Sequence, residues 1–188
     1  MATTINADTT VGGAIVTGDA SGQLALQSAG TTALTASAGN LTVAQKMTAV
    51  GTSSTAGLKI ADVLETATVS ATAATGTINY DVTTQAVLYY TTNASANWTV
   101  NFRGSSGTSL NNVMATGESV TVAFFVTQGA TAYYNNAVTI DGASVTPKYQ
   151  GGTAWSAGNA SSIDAYTYTI IKTGNAAFTV FAAQTRFA

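Results

Sequence analysis

The chain has 188 residues, room for one domain with an extension, and only 7% of them are charged, against about 25% in ordinary soluble domains. The net charge is −2 and the pI is near 4.7, with the six Lys and Arg residues scattered along the sequence, so there is no basic footprint for nucleic acid. Cysteine and histidine are both absent from the sequence, which removes disulfide frameworks, thiolate nucleophiles, Ser-His catalysis and the usual zinc and iron ligand sets.

Residues 1–10 are polar and read as a tail or docking peptide; they lack the basic start and apolar run of a signal peptide. From there to residue 50 the chain reads as a β arm, with short strands expected at 23–27, 32–36 and 41–44. Ser-Ala-Gly and Ser-Ala-Gly-Asn separate them, a strand-and-turn signature rather than a helical one. The large side chains of the arm are aliphatic and sparse. Burying them offsets too little of the entropy of ordering so many residues, so the arm is expected either to be disordered or to be completed by other copies of itself or by a neighbouring surface. Leu24, Leu26, Leu34, Leu41 and Val43 are the expected oligomer contacts. The small-residue run 51–57 reads as a linker, and 58–188 as the main domain.

After Glu65 the pattern is all β. Residues 97–103 alternate most clearly, with Trp98, Val100 and Phe102 on the inward face and Thr99, Asn101 and Arg103 on the outward one. Residues 118–128 repeat the pattern with Val120, Val122, Phe124 and Val126. Segments 130–134 and 137–140 are expected to pair across Asn135-Asn136, with a further turn at Asp141-Gly142. The chain should close with a hairpin of 163–172 and 175–187 around Thr173-Gly174. Eight to ten strands at this spacing predict a β-sandwich, jelly-roll-like, in preference to a solenoid. The longest apolar runs, such as 122–126, are far too short to span a bilayer as a helix.

Chemistry finds little support. Asp141 and Asp164 stand at strand ends, where a carboxylate commonly caps a turn, and no metal-binding loop pattern surrounds them. Tyr133, Tyr134, Tyr149 and Trp155 lie in or beside loops, where rings either stack on sugars or close the end of a sandwich. The expectation is a non-enzymatic protein with no cofactor and no catalytic or metal site.

Two regions carry a resemblance. Met-Ala-Thr-Thr-Ile-Asn-Ala-Asp8, Gly18-Asp-Ala-Ser-Gly-Gln-Leu-Ala-Leu-Gln27 and Gly30-Thr-Thr-Ala-Leu-Thr35 form the first. Val126-Thr-Gln-Gly-Ala-Thr-Ala-Tyr-Tyr134, Val138-Thr-Ile-Asp-Gly142, Asn159-Ala-Ser-Ser-Ile-Asp-Ala-Tyr166 and the closing hairpin form the second. Together they resemble virion structural proteins of tailed phages, cyanophages among them, of the fibre-like and capsid-decoration type. The resemblance implies a building block displayed on the virion, commonly a homotrimer, as a tail fibre or a capsid-decoration (cement) subunit. It implies partners among capsid or tail proteins, with neither nucleic acid nor membrane. Two alternatives stand beside it: a carbohydrate-binding module that meets host surface glycan through the four loop aromatics, and a polymer-forming extracellular fibre subunit built by strand exchange.

Overall fold

The structure, a computed structural model, describes residues 23–28, 31–37, 40–43, 47, 48, 58 and 60–188. It divides into two compact units, Met1–Ala61 and Asp62–Ala188, a boundary just beyond the stretch read as a linker. The parts of the arm at 1–22, 29–30, 38–39, 44–46 and 49–50 and the whole of the 51–57 linker lie outside the described residues.

In the first unit, β1 (Gln23–Ser28), β2 (Thr31–Ser37) and β3 (Asn40–Val43) form an antiparallel three-stranded meander. The strands fall where the alternation of leucine with small and polar residues puts them.

The second unit holds ten strands and two sheets. Its first six are β4 (Ala67–Ala73), β5 (Gly76–Asp81), β6 (Val87–Thr92), β7 (Trp98–Arg103), β8 (Ser119–Thr127) and β9 (Asn135–Ile140). The even-numbered strands belong to one sheet and the odd-numbered to the other, each running parallel to its neighbour of the same sheet. The chain therefore winds as a flattened coil, one strand per sheet in each turn. Parallel neighbours need a crossover connection. Here the crossover out of each strand is a strand of the facing sheet.

The coil is then closed by antiparallel pieces. β10 (Ala143–Val145) turns back on β9, and β12 (Ile163–Gly174) lies antiparallel to β8 and pairs with β13 (Ala177–Phe187). The two-residue β11 (Lys148–Tyr149) edges β13. The final orders are β10-β9-β7-β5 and β11-β13-β12-β8-β6-β4.

An all-β protein with two sheets is what the composition and alternation predict. The jelly-roll-like topology is not what these sheets show, because a jelly roll is built of antiparallel Greek keys and β4 to β9 have parallel neighbours. Two layers enclose one core, as in a sandwich, while the parallel neighbours of β4 to β9 give the chain a solenoid-like winding between them.

Inward residues of both sheets form that core. Trp98, Val100 and Phe102 on β7 are buried, as are Val122, Phe124 and Val126 on β8 and Tyr166, Tyr168 and Ile170 on β12. Trp98 stands edge-on to Phe124 and Tyr166, with centroids at 6.1 and 5.5 Å, and Phe102 meets Tyr168 at 4.9 Å. Such pairs add to simple area burial. The buried phenols are satisfied: Tyr80 donates to the carbonyls of Ala86 (2.6 Å) and Ala123 (3.3 Å), and Tyr168 donates to Asn135 Oδ1 at 2.9 Å.

The turns show where local rules hold. Asp141 and Gly142 carry φ of 51° and 83° between β9 and β10, the pair of positive values that a two-residue primed hairpin needs. Asn135-Asn136 is not a turn. Asn135 opens β9 and is 2% exposed, and the 130–134 segment forms no strand to pair with it. The closing hairpin turns at Asn175-Ala176, with Ala176 at φ 49°, rather than at Thr173-Gly174, because the register shifts between Lys172 and Gly174. The loop after β7 contains a one-turn helix, α1 (Leu110–Val113). Ser109 caps it, and Asp141 accepts from the N–H groups of Leu110 (2.7 Å) and Asn111 (3.0 Å).

Candidate functional site

The register of the meander arranges the five expected contact residues. Leu26 pairs with Leu34, and Leu34 with Val43, so these three form one row across the sheet. Leu24 pairs with Ala36 and Ala36 with Leu41, two residues along on β1, β2 and β3. The register thus sets Leu26, Leu34 and Val43 in one row across the three strands and Leu24, Ala36 and Leu41 in the row two residues along. Val43 is exposed at 37%.

The loop aromatics fall into two groups. Trp155 packs edge-on against Tyr149 (4.7 Å), Tyr166 (5.3 Å) and Tyr168 (6.5 Å), and its Nε1 donates to the Asn135 carbonyl at 2.5 Å. Burial raises the Tyr149 phenol above its ordinary value. Tyr133 and Tyr134 are half-buried, and no ring contact joins them to Tyr149 or Trp155. Tyr133 is held through its backbone: its N–H donates to Gln128 Oε1 (3.0 Å) and its carbonyl accepts from Gln128 Nε2 (2.7 Å). Tyr134 N–H donates to Asn97 Oδ1 at 3.0 Å.

Beneath these loops is a polar knot that the sequence does not announce. Asp164 is fully buried and accepts from Gln128 Nε2 (3.0 Å), Asn159 N–H (3.0 Å) and Asn159 Nδ2 (2.5 Å). Gly158 fits because it has no side chain, since a Cβ there would lie 2.1 Å from the Tyr133 carbonyl oxygen. Asn135 is a second hub: its Nδ2 donates to the carbonyls of Trp98 (2.9 Å) and Ala137 (2.7 Å) while Oδ1 takes the Tyr168 hydroxyl. Buried polar groups of this density fix loop geometry. Asp141 and Asp164 therefore act as caps, the role a strand-end carboxylate suggests.

Among the described residues no cluster of three or more His, Cys, Asp or Glu side chains could hold a metal ion, and no helix is long and apolar enough to cross a membrane. The concave surfaces are shallow. One groove runs over the Tyr149 edge, between Lys148, Gln150, Thr167 and Phe181; its neighbour lies between Gln150, Thr153, Trp155 and Gln184. The architecture is thus a coiled two-sheet β domain in one unit and a three-stranded β meander in the other. Comparison with protein-family models, curated proteins and solved structures gives no match.

Proposed function

We propose that the protein is a non-enzymatic structural component of a phage virion, a trimeric fibre-like or capsid-decoration subunit whose first unit assembles between chains. The observation that carries this reading is the register of the three-stranded sheet, which sets Leu26, Leu34 and Val43 in one row across the strands and Leu24, Ala36 and Leu41 in the next row on the same strands. Two or three strands without a covering layer are marginal in water. Packing identical faces around an axis supplies the missing layer, and the low charge of the chain keeps the desolvation cost of such packing small. The resemblance to tailed-phage virion proteins supplies the setting.

Leu34 is the central residue of the row, paired with Leu26 on one side and Val43 on the other. Leu34→Asp puts a carboxylate in the middle of the contact. Sedimentation should show three times the 18.9 kDa chain mass for the parent and the single-chain mass for the variant. A variant that remains trimeric, or a parent that is already monomeric, refutes the reading. The glycan alternative draws less support, because the Trp155 ring is occupied by Tyr149, Tyr166 and Tyr168.

A further inference from the structure

The six-stranded sheet ends on β11, and the groove at that edge is built by register. Lys148 pairs with Phe181, and Phe181 with Thr169, so the three stand in one row across β11, β13 and β12. In the row two residues along, Ala183 pairs with Thr167, and only small side chains stand there. Positions two apart on a strand share a face. A hollow of small side chains therefore lies beside the Phe181 ring, on the face turned away from buried Val180 and Ala182. Gln150, directly after β11, lines it as well, and the groove measures about 390 Å³, within the range of small-ligand sites. A second groove of about 200 Å³ continues from it, sharing Gln150, Ala182 and Ala183 and reaching Thr153 and Trp155. The β11 edge is five strand spacings, about 24 Å, from β4, the strand at which the chain enters this sheet.

The groups in the groove are of three kinds. Phe181 is 45% exposed and offers a flat apolar ring. Gln150 and Thr167 are exposed, and among the described residues neither side chain has a hydrogen-bond partner, so an amide and a hydroxyl are free to donate and accept. Lys148 is the one charged residue of the lining; it has no ion-pair partner among the described residues, and the lining contains no carboxylate. An acyl chain would leave the amide and the hydroxyl unpaired. A pyranose complements both: its C–H face lies on a ring and its hydroxyls meet neutral donors and acceptors. A carboxylate on that sugar complements the cation.

We propose that this groove binds a hexuronate residue of an acidic polysaccharide, with the pyranose face on Phe181, hydroxyls on Gln150 and Thr167, and the carboxylate toward Lys148. The continuing groove takes the next sugar of the chain. The site uses neither Tyr133 and Tyr134 nor the leucine rows of the meander. A groove this shallow gives binding on the order of millimolar for one chain, made effective when several copies meet one polymer.

Short oligosaccharides of glucuronate, galacturonate and mannuronate are titrated at low salt into the isotope-labelled full chain, with the glucose, galactose and mannose oligosaccharides as neutral counterparts, and amide shifts are followed by NMR. At least one hexuronate should shift residues 148–150, 167–169 and 181–183 in a saturable way. Its neutral counterpart should bind about threefold more weakly, the scale of one exposed ion pair, and added salt should erase that difference. Phe181→Ala should weaken binding about tenfold, and Lys148→Gln about threefold with loss of the salt effect. Tyr133→Ala should bind as the parent does, and near-ultraviolet circular dichroism checks that each variant is folded. Leu34→Asp should also bind as the parent does, so a failure of the assembly reading leaves this site in place. Absence of saturable shifts with all three hexuronates, shifts confined to other parts of the domain, equal binding of the neutral counterpart at low salt, or undiminished binding by Phe181→Ala overturns the proposal.

Discussion

The two units solve the same problem with different means. All sixteen aromatic residues lie beyond Ala61, and the first unit has none. The second unit uses Trp98, Phe102, Phe124, Tyr166 and Tyr168 to fill the space between two sheets. The described strands of the first form one sheet of three, with leucine and valine as its large residues. A sheet becomes stable by itself only when a second layer covers its apolar face. The second unit carries both layers in its own chain; for the first, the proposed function has assembly between chains supply the covering layer.

The sharpest way to break this contrast is to empty the self-sufficient core. Trp98 is 1% exposed and touches both sheets through Phe124 and Tyr166. Trp98→Ala should cost about 3–5 kcal/mol, read by denaturant unfolding followed by near-ultraviolet circular dichroism of the remaining aromatics. Leu34→Asp should leave that same transition in place. If both variants shift it equally, the units are not energetically separate.

A smaller loss is expected where the loops are tied down. Gly158→Ala drives a methyl into the Tyr133 carbonyl and toward Asp164. Overpacking of this type costs about 1–3 kcal/mol. Amide exchange should locate the effect at 128–134 and 158–164, leaving β7 and β8 protected. Unchanged stability in Gly158→Ala would mean that the polar knot yields freely.

Much of this was legible in the sequence, and the parts that were not share a cause. Alternation places Trp98, Val100 and Phe102 inward, and it does the same for Val122, Phe124 and Val126. The Asp141-Gly142 turn follows from an equally local rule. Period two states which face a residue occupies but not which strand lies beside it. The parallel winding of β4 to β9 is therefore invisible along the chain. Asn135 suggests a turn because asparagine tolerates positive φ, yet the cavity left between Trp98, Tyr168 and Trp155 needs a side chain that both donates and accepts. Helix α1 is one turn long and leaves no periodic trace; Ser109, its cap, is the one cue. The polar knot ties two local clusters together through one long-range bond, Gln128 to Asp164, 36 positions apart. The aromatics were gathered by their position in loops, but only Tyr149 and Trp155 meet.

The gentlest test uses protons. Burial holds the phenols of Tyr168, Tyr166 and Tyr80 above their ordinary value of 10.0, helped at Tyr166 by the Asp164 charge and at Tyr80 by Glu65. A phenol that ionises at higher pH in the folded chain than in the unfolded one leaves stability untouched below about pH 10. As pH rises beyond that, the unfolded chain gives up its protons first, and each such phenol withdraws stability at a slope approaching ~1.4 kcal/mol per pH unit. The Tm should therefore be the same for these groups at pH 7 and 9 and fall at pH 11. Every tyrosine belongs to the second unit, so phenolate absorbance reports that unit alone. The buried share of that signal should appear together with unfolding. Full phenolate absorbance at pH 11 in a chain that still melts at its neutral Tm would mean that water reaches the core between the sheets, and the contrast between a closed unit and an open one would fail at its closed side.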